Sequence, residues 1–143
     1  MIGESKSGKI IVALKAVIVF EGRILIIKRS DYDDFGAGTW EFPGGRINFG
    51  EELHECLERE VMEETGLQIK VGEVLYASTF LTSESRQVVV ITYLCTSKTN
   101  KIKLSFEHSD YLWANRGLIQ EKLYRTILED MISNNVFDEI DIE

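Results

Sequence analysis

From Ile10 to Phe20 the chain is apolar and rich in β-branched residues, and after Glu21-Gly22 the pattern resumes from Arg23 to Arg29 through Ile24, Leu25, Ile26 and Ile27. Two such runs around a short turn predict a β-hairpin. Ser30 to Thr39 concentrates Gly, Asp and Ser and reads as a loop. Trp40-Glu41-Phe42-Pro43-Gly44-Gly45 then carries the only proline of the chain. Proline biases Phe42 towards an extended conformation, and the glycines permit positive φ and close approach of backbone, so a sharp, constrained turn is expected. Glu51 to Thr65 contains no Gly or Pro and is closed by Gly66. This predicts a helix with acids in its first turn and a glycine stop. Gln68 to Phe80 and Arg86 to Thr96 read as strands joined by a polar turn at 82–85, and Lys98 to Lys101 as a further turn. Asp110 to Ala114 predicts a short strand. Leu123, Ile127, Leu128, Met131 and Ile132 predict one helix over 117–133.

The order of strands, helix, strands and helix favours an α/β chain of the α+β kind, a mixed sheet with helices packed on it, over a regular βαβ alternation. No repeat, low-complexity block or linker interrupts it, so 1–143 reads as one domain. The polar N-terminus 1–9 and the segment 134–143 are expected to fray. A chain of 143 residues that is 44% hydrophobic can bury a sizeable core.

The net charge of −8 counts against a partner that is a nucleic-acid polymer or an anionic membrane. Its distribution is more informative. Residues 51–64 hold seven glutamates and one arginine, residues 129–143 hold six acids and no base, and the remainder is mildly basic. Two cysteines among apolar neighbours, Cys56 and Cys95, read as reduced thiols. No apolar stretch reaches membrane-spanning length and 1–9 lacks the run of a signal peptide, so a cytoplasmic protein is expected.

A helix brings residues three and four apart together, so Glu60, Glu63 and Glu64 converge on one arc. That arc overlaps the apolar positions Leu53, Cys56, Leu57 and Val61, whereas a merely solvated helix would carry its acids opposite the apolar stripe. Like charges this close need a cation. Arg59 is one candidate; Mg²⁺ or Mn²⁺, which take hard oxygen ligands, is the better one.

Carboxylates alone would be a weak signal, but they stand at fixed spacing. Gly45, Glu51, Arg59-Glu60-Val61, Glu63-Glu64 and Gly66-Leu67 reproduce the Nudix box over 45–67, and Trp40 to Gly44 resembles the lead-in of its MutT-like members. The resemblance implies an α/β/α sandwich with a mixed sheet between helices. It also implies a metal-dependent hydrolase acting on a nucleotide, most simply a nucleoside triphosphate. The alternatives are an ADP-ribose or nucleotide-sugar pyrophosphatase and a non-catalytic regulatory domain that binds nucleotide.

By position, the resemblance implies that Glu60, Glu63 and Glu64 bind the metals, one of them also helping to deprotonate water. The Gly45 carbonyl would add a ligand, Arg59 would orient a glutamate and Glu51 would support the loop. Glu107, ahead of Trp113, fits a further ligand. Arg46, Arg29, Tyr32 and Phe35 are weaker candidates for contacts with substrate. His54 and His108 lack a metal-type partner and read as non-catalytic, and Cys56 as a small packing residue. Homodimers are frequent among relatives, and the sequence leaves monomer or homodimer open.

Overall fold

The two apolar runs resolve into the two faces of one sheet. The computed structural model describes residues 7–31 and 36–143. β1 (Lys9–Phe20) and β2 (Arg23–Arg29) form the expected antiparallel hairpin. Leu14, Ala16, Ile18, Leu25 and Ile27 enter a core on one face, and Val17, Ile24 and Ile26 enter a second core on the other. A strand covered on both faces needs apolar side chains at odd and even positions alike, hence a continuous run instead of an alternation.

β1 is the organising strand. Along one edge it pairs in parallel with β6 (Arg86–Ser97), which itself forms a long antiparallel hairpin with β5 (Ile69–Ser83). Along the other edge its end pairs with β2 and its middle with β4 (Gly44–Arg46). β3 (Trp40–Glu41) and β7 (His108–Ala114) both pair with β2. α1 (Leu53–Thr65) covers the first face, while α2 (Arg116–Lys122), α3 (Arg125–Ser133) and α4 (Val136–Glu139) cover the second. The result is the expected mixed sheet between helices.

Two expectations are corrected. The helix predicted over 117–133 is broken at Leu123, which turns extended (φ −63°, ψ 140°) and bridges to Trp40, while Tyr124 N donates to the Trp40 carbonyl at 3.0 Å. The exposed edge of β3 thus takes backbone bonds that a continuous helix would have kept. The segment 134–143 is also not frayed. Val136 and Ile140 are buried in the second core, Glu143 N donates to the Gly22 carbonyl at 2.8 Å, and Arg116 N donates to the Glu143 carbonyl at 2.7 Å. At the other end, Lys9 already belongs to β1. No helix among the described residues is long and apolar enough to cross a membrane.

Both cysteines are buried and unpaired. Burial pushes the Cys56 thiol up to about 11 and the Cys95 thiol to about 12. Because the thiolate is the reactive form, neither should be alkylated by iodoacetamide in the native protein at pH 8, and both should react once it is unfolded. Rapid native labelling, read by mass spectrometry, would contradict this packing.

Candidate active site

The acidic helix begins and ends by local chemistry. Glu52 N donates to Glu55 Oε1 at 3.2 Å, closing the first turn, and Gly66 in the left-handed region (φ 74°) returns its N–H to the Met62 carbonyl. The helix starts two residues later than the sequence suggests. Glu51 is engaged before it, accepting from Asn48 N at 2.7 Å and from both Nε and Nη2 of Arg59, at 2.7 and 2.9 Å. Cys56, Leu57 and Val61 are buried as expected, whereas Leu53 is largely exposed.

Arg59 gathers the carboxylates. Beyond its fork onto Glu51, its Nη1 donates to Glu60 at 2.9 Å and to Glu63 at 3.4 Å, and Nη2 donates to the Arg46 carbonyl at 3.2 Å. The fork and the Asn48 amide hold the Glu51 carboxyl down at about 2. Glu60 and Glu63 are thus turned towards a cation belonging to the chain itself. Among the described residues no three acidic, His or Cys side chains are gathered around one metal-sized point.

The glycine turn closes on this helix. Gly44 N donates to Glu64 Oε1 at 2.7 Å, and a Cβ placed on Gly45 would overlap the Glu60 carboxylate. Only glycine lets the backbone lie this close to the two acids. Glu63 is exposed, Glu60 half-buried and Glu64 buried. Burial pushes the Glu64 carboxyl up to about 7, against the pull of Lys15, the Gly44 amide and His108.

Below Glu64 lies a second layer of polar groups that sequence reading missed. Glu41 accepts from Lys15 Nζ at 3.2 Å, from Arg29 Nη1 at 3.4 Å and from His108 Nε2 at 3.0 Å. Burial alone would raise Glu41, but Lys15, the His108 bond and Arg29 outweigh it and hold the carboxyl at about 2. Burial likewise opposes the charge of Lys15, and the Glu41 and Glu64 carboxylates more than restore it. The four contributing positions, 15, 29, 41 and 108, lie on four separate strands. One signal was present in the sequence: Lys15 is the only charge in the apolar run from Ile10 to Phe20 and so needed a buried partner.

A helix carrying Arg59-Glu60 and Glu63-Glu64 against a glycine turn occurs here within a chain whose residues 11–132 match the family model of the NUDIX domain. The chain belongs to the NUDIX family. It is 31% identical to a MutT-like protein of Streptomyces ambofaciens over 78% of this chain and 68% of that one. It is 28% identical to the nucleoside triphosphatase NudI of Escherichia coli over 65% of this chain and 73% of that one. Its fold matches the crystal structure of a MutT protein from Methanosarcina mazei with a TM-score of 0.83 and 28% identity, covering 95% of this chain and all of that one.

Within this NUDIX site the other predicted residues fall unevenly. Arg46 contributes its carbonyl to Arg59, and its side chain is exposed. Arg29 points to Glu41. Tyr32 and Phe35 lie outside the described residues. Glu107 stands exposed on the turn before β7, with its carbonyl accepting from Ser30 N at 2.9 Å. No hydrogen bond joins its carboxylate to Glu60, Glu63 or Glu64 among the described residues. Its neighbour His108, read from sequence as uninvolved, is the residue that faces Glu64, with Nδ1 4.0 Å from Oε2.

Proposed function

We propose that this Nudix hydrolase cleaves the pyrophosphate linkage of a nucleoside triphosphate to the monophosphate and pyrophosphate, in the cytoplasm and with Mg²⁺ or Mn²⁺ as cofactor. The observation that carries the reading is Glu64, a buried carboxylate beside the Gly44-Gly45 turn whose ionisation at neutral pH calls for a cation. The donor set is all oxygen, which suits a hard divalent ion. Glu60, Glu63, Glu64 and the Gly45 carbonyl would hold it, with Glu107 as a further ligand. The likeness to the nucleoside triphosphatase NudI and to MutT-like proteins supports the substrate class.

A divalent cation supplies neutralisation of the phosphate oxygens and acidifies a water. The chain does the rest. The Glu51–Arg59 fork restrains Glu60 and Glu63. One of Glu60, Glu63 and Glu64 would also take the proton of the attacking water. Arg46, exposed beside the glycine turn, would meet a phosphate. Water then attacks phosphorus and gives up its proton to a glutamate carboxylate, and the P–O bond that bridges the α- and β-phosphates breaks to give the monophosphate and pyrophosphate.

The test is a substrate panel of nucleoside triphosphates, oxidised deoxynucleotides, ADP-ribose and nucleotide sugars, each with Mg²⁺ and with excess chelator. Triphosphate turnover that chelator abolishes is the expected result. Turnover indifferent to chelator would refute the metal requirement, preference for ADP-ribose or a nucleotide sugar would replace the substrate, and binding without turnover would favour a regulatory domain.

A further inference from the structure

His108 is placed with more care than a packing residue requires. β7 pairs with β2 through Lys28↔Asp110 and then Arg29↔His108, so Ser109 is an extra residue in the ladder. Such a bulge re-aims a side chain. The ring is buried, with only 3% of its side chain exposed. Nε2 lies on Glu41, an ionised carboxylate that only accepts, so Nε2 carries hydrogen and donates. Nδ1, 4.0 Å from Glu64 Oε2, is the atom turned towards that carboxylate, and it is buried with no hydrogen-bond partner among the described residues. A buried polar atom without a partner is uncommon enough to need a reason. Glu64 is held at one oxygen by Gly44, and the second oxygen is the one that faces this ring.

We propose that His108, held by Glu41, is a positioning residue for Glu64, fixing the carboxylate in the orientation in which α1 presents it to the glycine turn. Lys15 and Arg29 keep Glu41 in place, so that one support spans β1, β2, β3 and β7 and ends on a single carboxylate of the helix. The inference rests on the proposed metal site and concerns a residue outside its ligand set. Groups that orient ligands in this way commonly influence metal affinity and turnover by ~10- to 100-fold.

Two variants divide the ring's functions. His108→Gln keeps an amide near the position of Nε2 and loses the atom facing Glu64; His108→Asn keeps an amide near Nδ1 and loses the bond to Glu41. Binding of Mn²⁺ without nucleotide, followed by electron paramagnetic resonance, is measured beside kcat, KM and thermal melting. For His108→Gln the affinity for Mn²⁺ and kcat should each fall by about tenfold or more, with KM for nucleotide nearly unchanged and the melting temperature close to wild type. His108→Asn should recover part of both losses. Wild-type affinity and kcat in His108→Gln would overturn the proposal, as would losses in both variants that only track loss of folded protein. A wild-type chain that neither binds Mn²⁺ nor hydrolyses nucleotide would overturn the reading of the site, and this inference with it.

Discussion

Glu64→Gln should cost at least about a hundredfold in kcat on the metal-ligand role proposed for it, which would supply several kcal/mol of charge stabilisation, and yet make the metal-free protein more stable. The sign follows from the carboxyl itself. Its value in the fold is about 7 against 4.5 for an unperturbed glutamate, so the fold prefers it protonated. Below pH 4.5 there is no penalty. As pH rises towards 7 the unfolded chain ionises first, and the fold loses roughly 3 kcal/mol by neutral pH. Glutamine removes this loss and still offers an oxygen to Gly44 N. In chelator at pH 8 the variant should melt several degrees above wild type, and the difference should vanish near pH 4.5. Mg²⁺ should raise the melting temperature of wild type more than that of the variant. A variant less stable than wild type at pH 8 would show that Glu64 is compensated within the chain. Glu41 acts in the opposite sense: its contribution is present above 4.5 and is lost as pH falls towards 2.

The second large effect falls on the adjacent turn. Gly44 has φ +143°, and a Cβ there would run into the Leu14 carbonyl of β1. That carbonyl cannot step aside, since β1 is paired with β4 on one edge and β6 on the other at this point. Gly44→Ala should therefore lose on the order of 3 kcal/mol or more, about 10 °C in melting temperature for a chain of this size. At Gly45 the added methyl would meet the end of the Glu60 side chain, which can swing away. Gly45→Ala should fold nearly as well as wild type and lose most of its activity. If the two variants melted alike and turned over alike, the close approach of turn and helix would not be what these glycines serve.

Much of this arrangement was legible because it is local. The acids of α1, its glycine stop and the constrained turn before it are neighbours in sequence, and their chemistry is decided within a few residues. The two-faced hairpin was legible for the same reason. What escaped was decided at long range. The break at Leu123 depends on Trp40, which lies on a different strand. Glu41 looked like part of a turn until Lys15, Arg29 and His108 surrounded it. The bulge at Ser109, invisible in a list of residues, turned His108 inward.

The tying of residue 143 to the β1–β2 turn bears on how the chain is made. Synthesis delivers the hairpin, the glycine turn and α1 early, and the core beneath α1 draws on nothing later than Trp113. The opposite core needs Val136 and Ile140, and Glu143 bonds back to Gly22 and Arg23 across most of the chain. On the ribosome the face covered by α1 can therefore assemble while the reverse side of the same sheet is still uncovered. Those apolar residues await residues 136–143, which are synthesised after the strands they cover.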